Sequence, residues 1–159
     1  MSHTRDKNEI RGAGELRASS ATIGVASSAH QLIDAAEDFL AALEHLVEGT
    51  GSRLGRACPF MGAWALGCAL KSHLSRRRLS DDDLKKYGHD LQELWRKAAE
   101  FDLPIPSEPP HWCVLLDSLH DWPYRLRYPS DCNGYISPVR KEMTAELRTL
   151  IALVKTATP

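Results

Sequence analysis

Cys58-Pro59-Phe60-Met61-Gly62-Ala63-Trp64-Ala65-Leu66-Gly67-Cys68-Ala69-Leu70-Lys71, followed fifteen residues on by Lys86-Tyr87-Gly88-His89-Asp90-Leu91, is the stretch whose reading decides the fold. Its first part is apolar on most sides, the pattern of a helix enclosed by other helices. Pro59 suits a first turn, where its missing N–H has no intrahelical partner to lose. The spacing predicts a central helix over Phe60 to Arg78. Gly62, Ala65 and Ala69 fall on one ridge, and Ala63, Gly67 and Leu70 on another. Small residues let neighbouring backbones approach, which offsets the roughly 1 kcal/mol that helical glycine costs relative to alanine. Arg76, Arg77 and Arg78 complement the negative end of the helix dipole, and three adjacent guanidiniums can also hold a phosphate.

Downstream, Ser80 and Asp83 form a capping box with Asp in the place of Glu, and Asp81 to Asp83 lie at the positive end of a short helix. Gly88 can take the left-handed conformation that stops it, and Asp90 can cap the next helix. Leu91, Leu94, Trp95, Ala98 and Phe101 give that helix its buried stripe. Pro104, Pro106, Pro109 and Pro110 mark a linker, followed by a helix from Pro110 to His120 with Val114, Leu115 and Leu119 inward. Upstream, Ser28 can cap a first helix whose stripe is Leu32, Ala36, Phe39, Leu43, Leu46 and Val47. Gly49 and Gly51 end it, and His30 and His45 fall on its solvated side.

Asp121 to Tyr135 lacks helical spacing and reads as an extended loop packed against the bundle. Ser137 then caps a last helix with Pro138 in first position and Val139, Met143, Leu147, Leu150, Ile151 and Val154 on one stripe. The expectation is an all-α fold, an up-and-down bundle of four to five helices with a long irregular loop before the last. Residues 1–27 are too poor in large apolar groups to offset the entropy of ordering and read as a flexible tail. Residues 28–157 read as one helical domain.

A chain of 159 residues is long enough to bury a core without disulfide or metal support. Twenty basic and 21 acidic residues leave a formal charge of -1, so no global field draws it to nucleic acid or an anionic membrane. Cys58, Cys68, Cys113 and Cys132 form no CxxC pair, and no charged-then-apolar leader opens the sequence. Free thiols in a reducing cytoplasm are expected. The apolar run from Ala63 to Leu70 is far short of the roughly 20 residues that span a bilayer. Gly-rich phosphate loops, a GxSxG elbow and His or Cys pairs at zinc spacing are all missing, so neither metal nor cofactor is expected. His111 and Cys113 point to different helix faces and do not share a metal.

Three polar features stand out against this apolar frame: Lys71 within the central helix, His89 and Asp90 after the glycine hinge, and Arg125, Arg127 and Tyr128 in the loop. Together with Ala69-Leu70-Lys71, Leu79-Ser80-Asp81-Asp82-Asp83-Leu84 leading into Gly88-His89-Asp90-Leu91, and Tyr124-Arg125-Leu126-Arg127-Tyr128-Pro129, they resemble stand-alone proteins of the HEPN domain family over roughly Ser28 to Thr156. The resemblance implies a four- or five-helix bundle, a homodimer, and association with RNA or nucleotides. Catalytic HEPN proteins carry Arg and His separated by four to six residues and cut RNA across a dimer interface. Here no arginine stands five, six or seven positions before any histidine, and Gly67 occupies the position one turn before Lys71 where related sequences place glutamate.

The residues themselves leave two accounts of each feature. His89, Glu93 and Arg96 share a helix face by their spacings of four and three. They suit either an exposed charged surface or a site in which His89 transfers protons and Arg96 or Arg125 stabilises developing charge. Tyr124 and Tyr128 can stack bases while Arg125 and Arg127 hold phosphates, or the arginines can pair with Asp90 or Asp121 and fix the loop. Lys71 either snorkels to the surface or contacts an anion. The expectation is a non-catalytic module that binds RNA, a nucleotide or a protein partner through Lys71, His89, Asp90, Arg125, Arg127 and Tyr128. A divergent metal-independent ribonuclease and a purely structural dimeric module are the alternatives.

Overall fold

The structure, a computed structural model, describes residues 28–49, 55–120 and 136–157. Six helices are formed among the described residues: α1 (Ser28–Glu48), α2 (Ala57–Arg76), α3 (Asp81–Lys86), α4 (Leu91–Glu100), α5 (His111–His120) and α6 (Arg140–Thr156). There is no strand among the described residues, and the all-α class holds. The short α3, counted separately, takes the number beyond the four to five expected. Met1 to Ser27, Gly51 and the whole of Asp121 to Tyr135, including Tyr124, Arg125, Arg127 and Tyr128, lie outside the described residues, as does Cys132.

Helix α2 is the centre, packing against every other helix. Twelve of its residues are buried, among them Ala63, Leu66, Ala69, Leu70 and Leu74, all fully so. Gly62 has the predicted use, since a Cβ there would lie 3.0 Å from the Met143 sulfur of α6, whereas a Cβ on Gly67 would make an ordinary contact 3.5 Å from Leu91 of α4. Contacts across the bundle set the helix directions. Ser72, late in α2, donates to the Ala29 carbonyl at the start of α1 at 2.7 Å, so these two helices are antiparallel. Arg76 at the end of α2 donates at 2.8 Å to the Val154 carbonyl near the end of α6, so α2 and α6 run the same way. Ion pairs from Arg148 to Glu44 and from Lys155 to Glu37 lace α6 antiparallel to α1.

Up-and-down alternation holds once α3 is counted. Gly67 meets Leu91, and His73 bonds the Phe101 carbonyl at 2.8 Å, so α4 runs in the same sense as α2. The stretch containing α3 is what carries the chain back along α2 between them.

Three details of the helices differ from the spacing-based expectation. In α1 the buried line is Ala29, Ile33, Ala36, Leu40 and Leu43, flanked by half-buried Leu32, Phe39, Leu46 and Val47. The helix packs against both α2 and α6, so its apolar face is wider than a single stripe. In α5, Cys113, Leu116, Leu119 and His120 are buried with Asp117, while Val114 and Leu115 are only half-buried. That helix is apolar nearly all round, and periodicity alone does not choose its face. In α6 the helix begins at Arg140, with Val139 as a cap lacking any side-chain bond. Val139 is 61% exposed, so Ser137 is not the cap and Val139 is not in the core. The rest of the α6 stripe, Met143, Leu147, Leu150, Ile151 and Val154, is buried as expected. Cys58, Cys68 and Cys113 are free, buried thiols. No helix among the described residues is long and apolar enough to cross a membrane.

Candidate functional site

The turn between α3 and α4 is built as its residues dictate. Ser80 caps α3 by accepting from the Asp83 N–H at 3.1 Å, and its hydroxyl donates to the Asp83 carboxylate at 2.7 Å, so the carboxylate meets the Ser80 side chain rather than the backbone N–H of a capping box. Gly88 has φ +52°, a conformation that an L side chain resists. Asp90 then accepts from the Glu93 N–H at 2.8 Å and caps α4.

A second carboxylate reaches the same helix end from outside. Asp117 of α5 accepts from the Leu91 N–H at 2.7 Å and from the Gln92 side-chain amide at 2.7 Å. The α4 N-terminus is therefore held by two acids, the arrangement its positive dipole end favours. Asp117 is 9% exposed, and burial pushes its carboxyl above the usual range while the Gln92 and Leu91 bonds pull it back. Sequence reasoning missed Asp117. Its signal is an acid placed among the buried positions Cys113, Leu116 and His120 of a short apolar helix. The Cys113 thiol beside it is pushed up to about 12, first by burial and then by Asp117, so it stays protonated at neutral pH.

Lys71 and His89 come together at this turn. Lys71 donates to the Gly88 carbonyl at 2.8 Å, fixing the glycine turn against α2. Burial lowers its pKa, partly offset by Cys68. The His89 ring meets Trp64 of α2 edge-on at 5.8 Å and His120 of α5 at 4.8 Å. Trp64 also stacks on Phe39 of α1 at 5.7 Å, and Phe60 closes on both Trp64 and His120. These rings tie three helices to the α3–α4 turn, and His120 is only 2% exposed. Between them lies a cavity of about 110 Å³ lined by Trp64, Cys68, Lys71, His89, Leu94 and His120, with Leu32, Gly67 and others completing its wall.

Arg96 belongs to different surroundings. Its guanidinium lies 3.9 Å from Glu93 and 3.9 Å from Glu108 of the linker, and it does not line the His89 cavity. The helix-face cluster of His89, Glu93 and Arg96 thus divides, with Glu93 and Arg96 on the outer side and His89 turned towards α2 and α5. Arg125, Arg127 and Tyr128 lie outside the described residues. No group of three or more His, Cys, Asp or Glu side chains among the described residues can hold a metal ion.

A larger depression lies on another side of the bundle. Trp95 and Trp112 meet edge-to-face at 5.9 Å and form its floor. Trp95 donates to the Pro106 carbonyl at 2.8 Å, which holds the proline linker against α4. The cavity is about 390 Å³, walled by Ile105, Pro106 and Pro110 of the linker and by Leu150 and Leu153 of α6. Glu108 and Glu146 stand among the lining residues, and no lysine or arginine does. No family model matches this chain, and comparison with curated proteins and with solved structures finds none that is significantly similar.

Proposed function

We propose that this chain is a non-catalytic helical binding module of the HEPN-like kind that recognises a protein partner. The reading rests on one observation: among the described residues, the cations of the candidate site, Lys71 and Arg96, both have partners within the fold. Lys71 holds the Gly88 carbonyl, and Arg96 stands between Glu93 and Glu108. Transition-state stabilisation of a phosphodiester needs donors aimed where charge develops, beside a group that moves protons. His89 instead faces Trp64 and His120 across a cavity of about 110 Å³, below the roughly 300 Å³ of ordinary ligand pockets.

The larger depression also favours protein over RNA. Its walls are apolar and its charged lining residues are carboxylates, which repel phosphate. The homodimer implied by the resemblance and the reducing cytoplasm expected from the scattered cysteines belong to the same proposal.

Incubation of the purified chain with labelled single-stranded RNA tests the reading. No cleavage is expected from the natural chain or from His89→Ala. Cleavage by the natural chain that disappears in His89→Ala or Arg96→Ala, with the unfolding midpoint kept, overturns it in favour of a metal-independent ribonuclease. Tight RNA binding that weakens steeply with added salt overturns the choice of a protein partner.

A further inference from the structure

We propose that the tryptophan depression between the proline linker, α5 and α6 is the docking site for an extended, proline-containing peptide segment that carries a basic side chain. This deepens the protein-binding reading by naming the site and the chemistry of the partner, and it rests on that reading.

A cavity of about 390 Å³ falls within the range of sites that enclose a ligand's apolar groups. Trp95 is 5% exposed and closes the bottom of the cavity, so half-buried Trp112 is the ring that offers an apolar face to a proline, and tryptophan anchors interfaces more strongly than most side chains. Three linker prolines, Pro104, Pro106 and Pro110, fix one wall, and α6 supplies the other through Leu150 and Leu153. A second depression adjoins the first at Trp112 and Glu146 and continues past Leu115, Pro138 and Glu142. The apolar track therefore extends beyond the width of a single side chain.

Charge then selects the partner. Glu146 makes no ion pair among the described residues, and Glu108 is 83% exposed at its side chain with Arg96 at 3.9 Å as its nearest cation. Glu142, one turn before Glu146 on α6, lines the adjoining depression. A row of carboxylates beside an apolar floor complements arginine or lysine on the partner and disfavours acidic chains.

Backbone chemistry favours an extended segment over a helix. The Trp112 indole N–H is buried without an acceptor among the described residues. An unmet buried donor costs about 1–3 kcal/mol, which a partner recovers if it brings a carbonyl oxygen to the ring. A polyproline-type segment has its carbonyls free, whereas a helix uses its carbonyls internally. The indole nitrogen is covered in the free chain, so this bond requires Trp112 to turn on binding. Such a turn changes tryptophan fluorescence.

The test titrates the full-length chain with three synthetic peptides: a proline-rich peptide with arginines, the same peptide with glutamates in their place, and an alanine-based helical peptide with the same arginines. Calorimetry and tryptophan fluorescence are the readouts. Saturable binding of the first is expected, with the other two about tenfold weaker or more. The double substitution Glu108→Gln with Glu146→Gln should weaken the first peptide about tenfold and flatten its salt dependence while leaving the unfolding midpoint in place. Trp112→Phe should weaken it several-fold.

Equal affinity for all three peptides, no saturable binding, or binding indifferent to the glutamate substitutions overturns the proposal. So does self-association of the chain that the same substitutions abolish, because the occupant is then a second copy. If these titrations fail while RNA remains uncut and unbound, only the site and the partner chemistry are lost. RNA cleavage or salt-sensitive RNA binding would instead remove the reading beneath them.

Discussion

The α3–α4 turn and the tryptophan depression use similar residue types to opposite ends. At the turn, the polar groups point inward and find partners. Lys71 holds Gly88, Asp90 and Asp117 hold the α4 N-terminus, and His89 packs on Trp64 and His120. At the depression, the rings face a cavity, the Trp112 N–H is unmet, and Glu146 has no ion pair among the described residues. A region whose polar atoms are satisfied internally contributes to stability. A region that leaves them unmet has something to gain from a partner.

The comparison breaks if substitutions at the turn spare stability or if substitutions at the depression cost it. The largest effect is expected at Asp117. Asp117→Ala leaves the Leu91 N–H and the Gln92 amide without their acceptor in a buried place, and should cost about 1–3 kcal/mol in denaturant unfolding. Asp117→Asn keeps one acceptor and should cost less. It should also flatten part of the pH dependence, because the folded carboxyl titrates above its unfolded value. The unmodified chain therefore loses this contribution as pH rises through the raised pKa.

Histidine 73 gives the opposite slope. It is 1% exposed, and its Nε2 must carry the proton it donates to the Phe101 carbonyl at 2.8 Å. Burial lowers its pKa, so as pH falls through the ordinary histidine value of about 6.5 the unfolded chain takes up the proton first. Stability should decline below that pH, and the decline should be shallower in His73→Gln by thermal unfolding.

A smaller loss is expected at the hinge. Gly88→Ala forces a Cβ into φ +52° with open space around it, so the cost is conformational alone, about 1 kcal/mol. A loss beyond about 3 kcal/mol would mean that the turn packs more tightly than its surroundings indicate. The smallest effect belongs to the depression. Trp112→Phe removes an unmet donor and should leave the unfolding midpoint within about 0.5 kcal/mol, or raise it. A large loss there would make Trp112 a core residue and would close the gap between the two regions.

Much of the frame is legible before any coordinates. Ser80, Gly88 and Asp90 announce a cap, a left-handed stop and another cap through local chemistry, and each is found in that role. The continuous apolar run from Cys58 to Leu70 identifies α2 as enclosed, because a helix that has no polar face has nowhere to show one. The face of α5 was not legible, since Val114 and Leu115 are as apolar as Cys113 and Leu116. Nor was the division of the charged cluster, because helical spacing puts His89 and Arg96 on a common face but does not say what waits on either side.

What the sequence determined by itself was therefore the local grammar: where α3 and α4 begin and α3 stops, which helix is enclosed, and that Gly62 allows close approach. Tertiary structure alone decided that Asp117 would cap a helix 26 positions earlier in the chain and that Lys71 would serve a carbonyl. It also decided that two tryptophans from different helices would share one floor. The physical reason is range. Caps, turns and periodicity act within a few residues, whereas the partner of a buried charge or ring is set by which distant surfaces the packed core brings within a few ångströms.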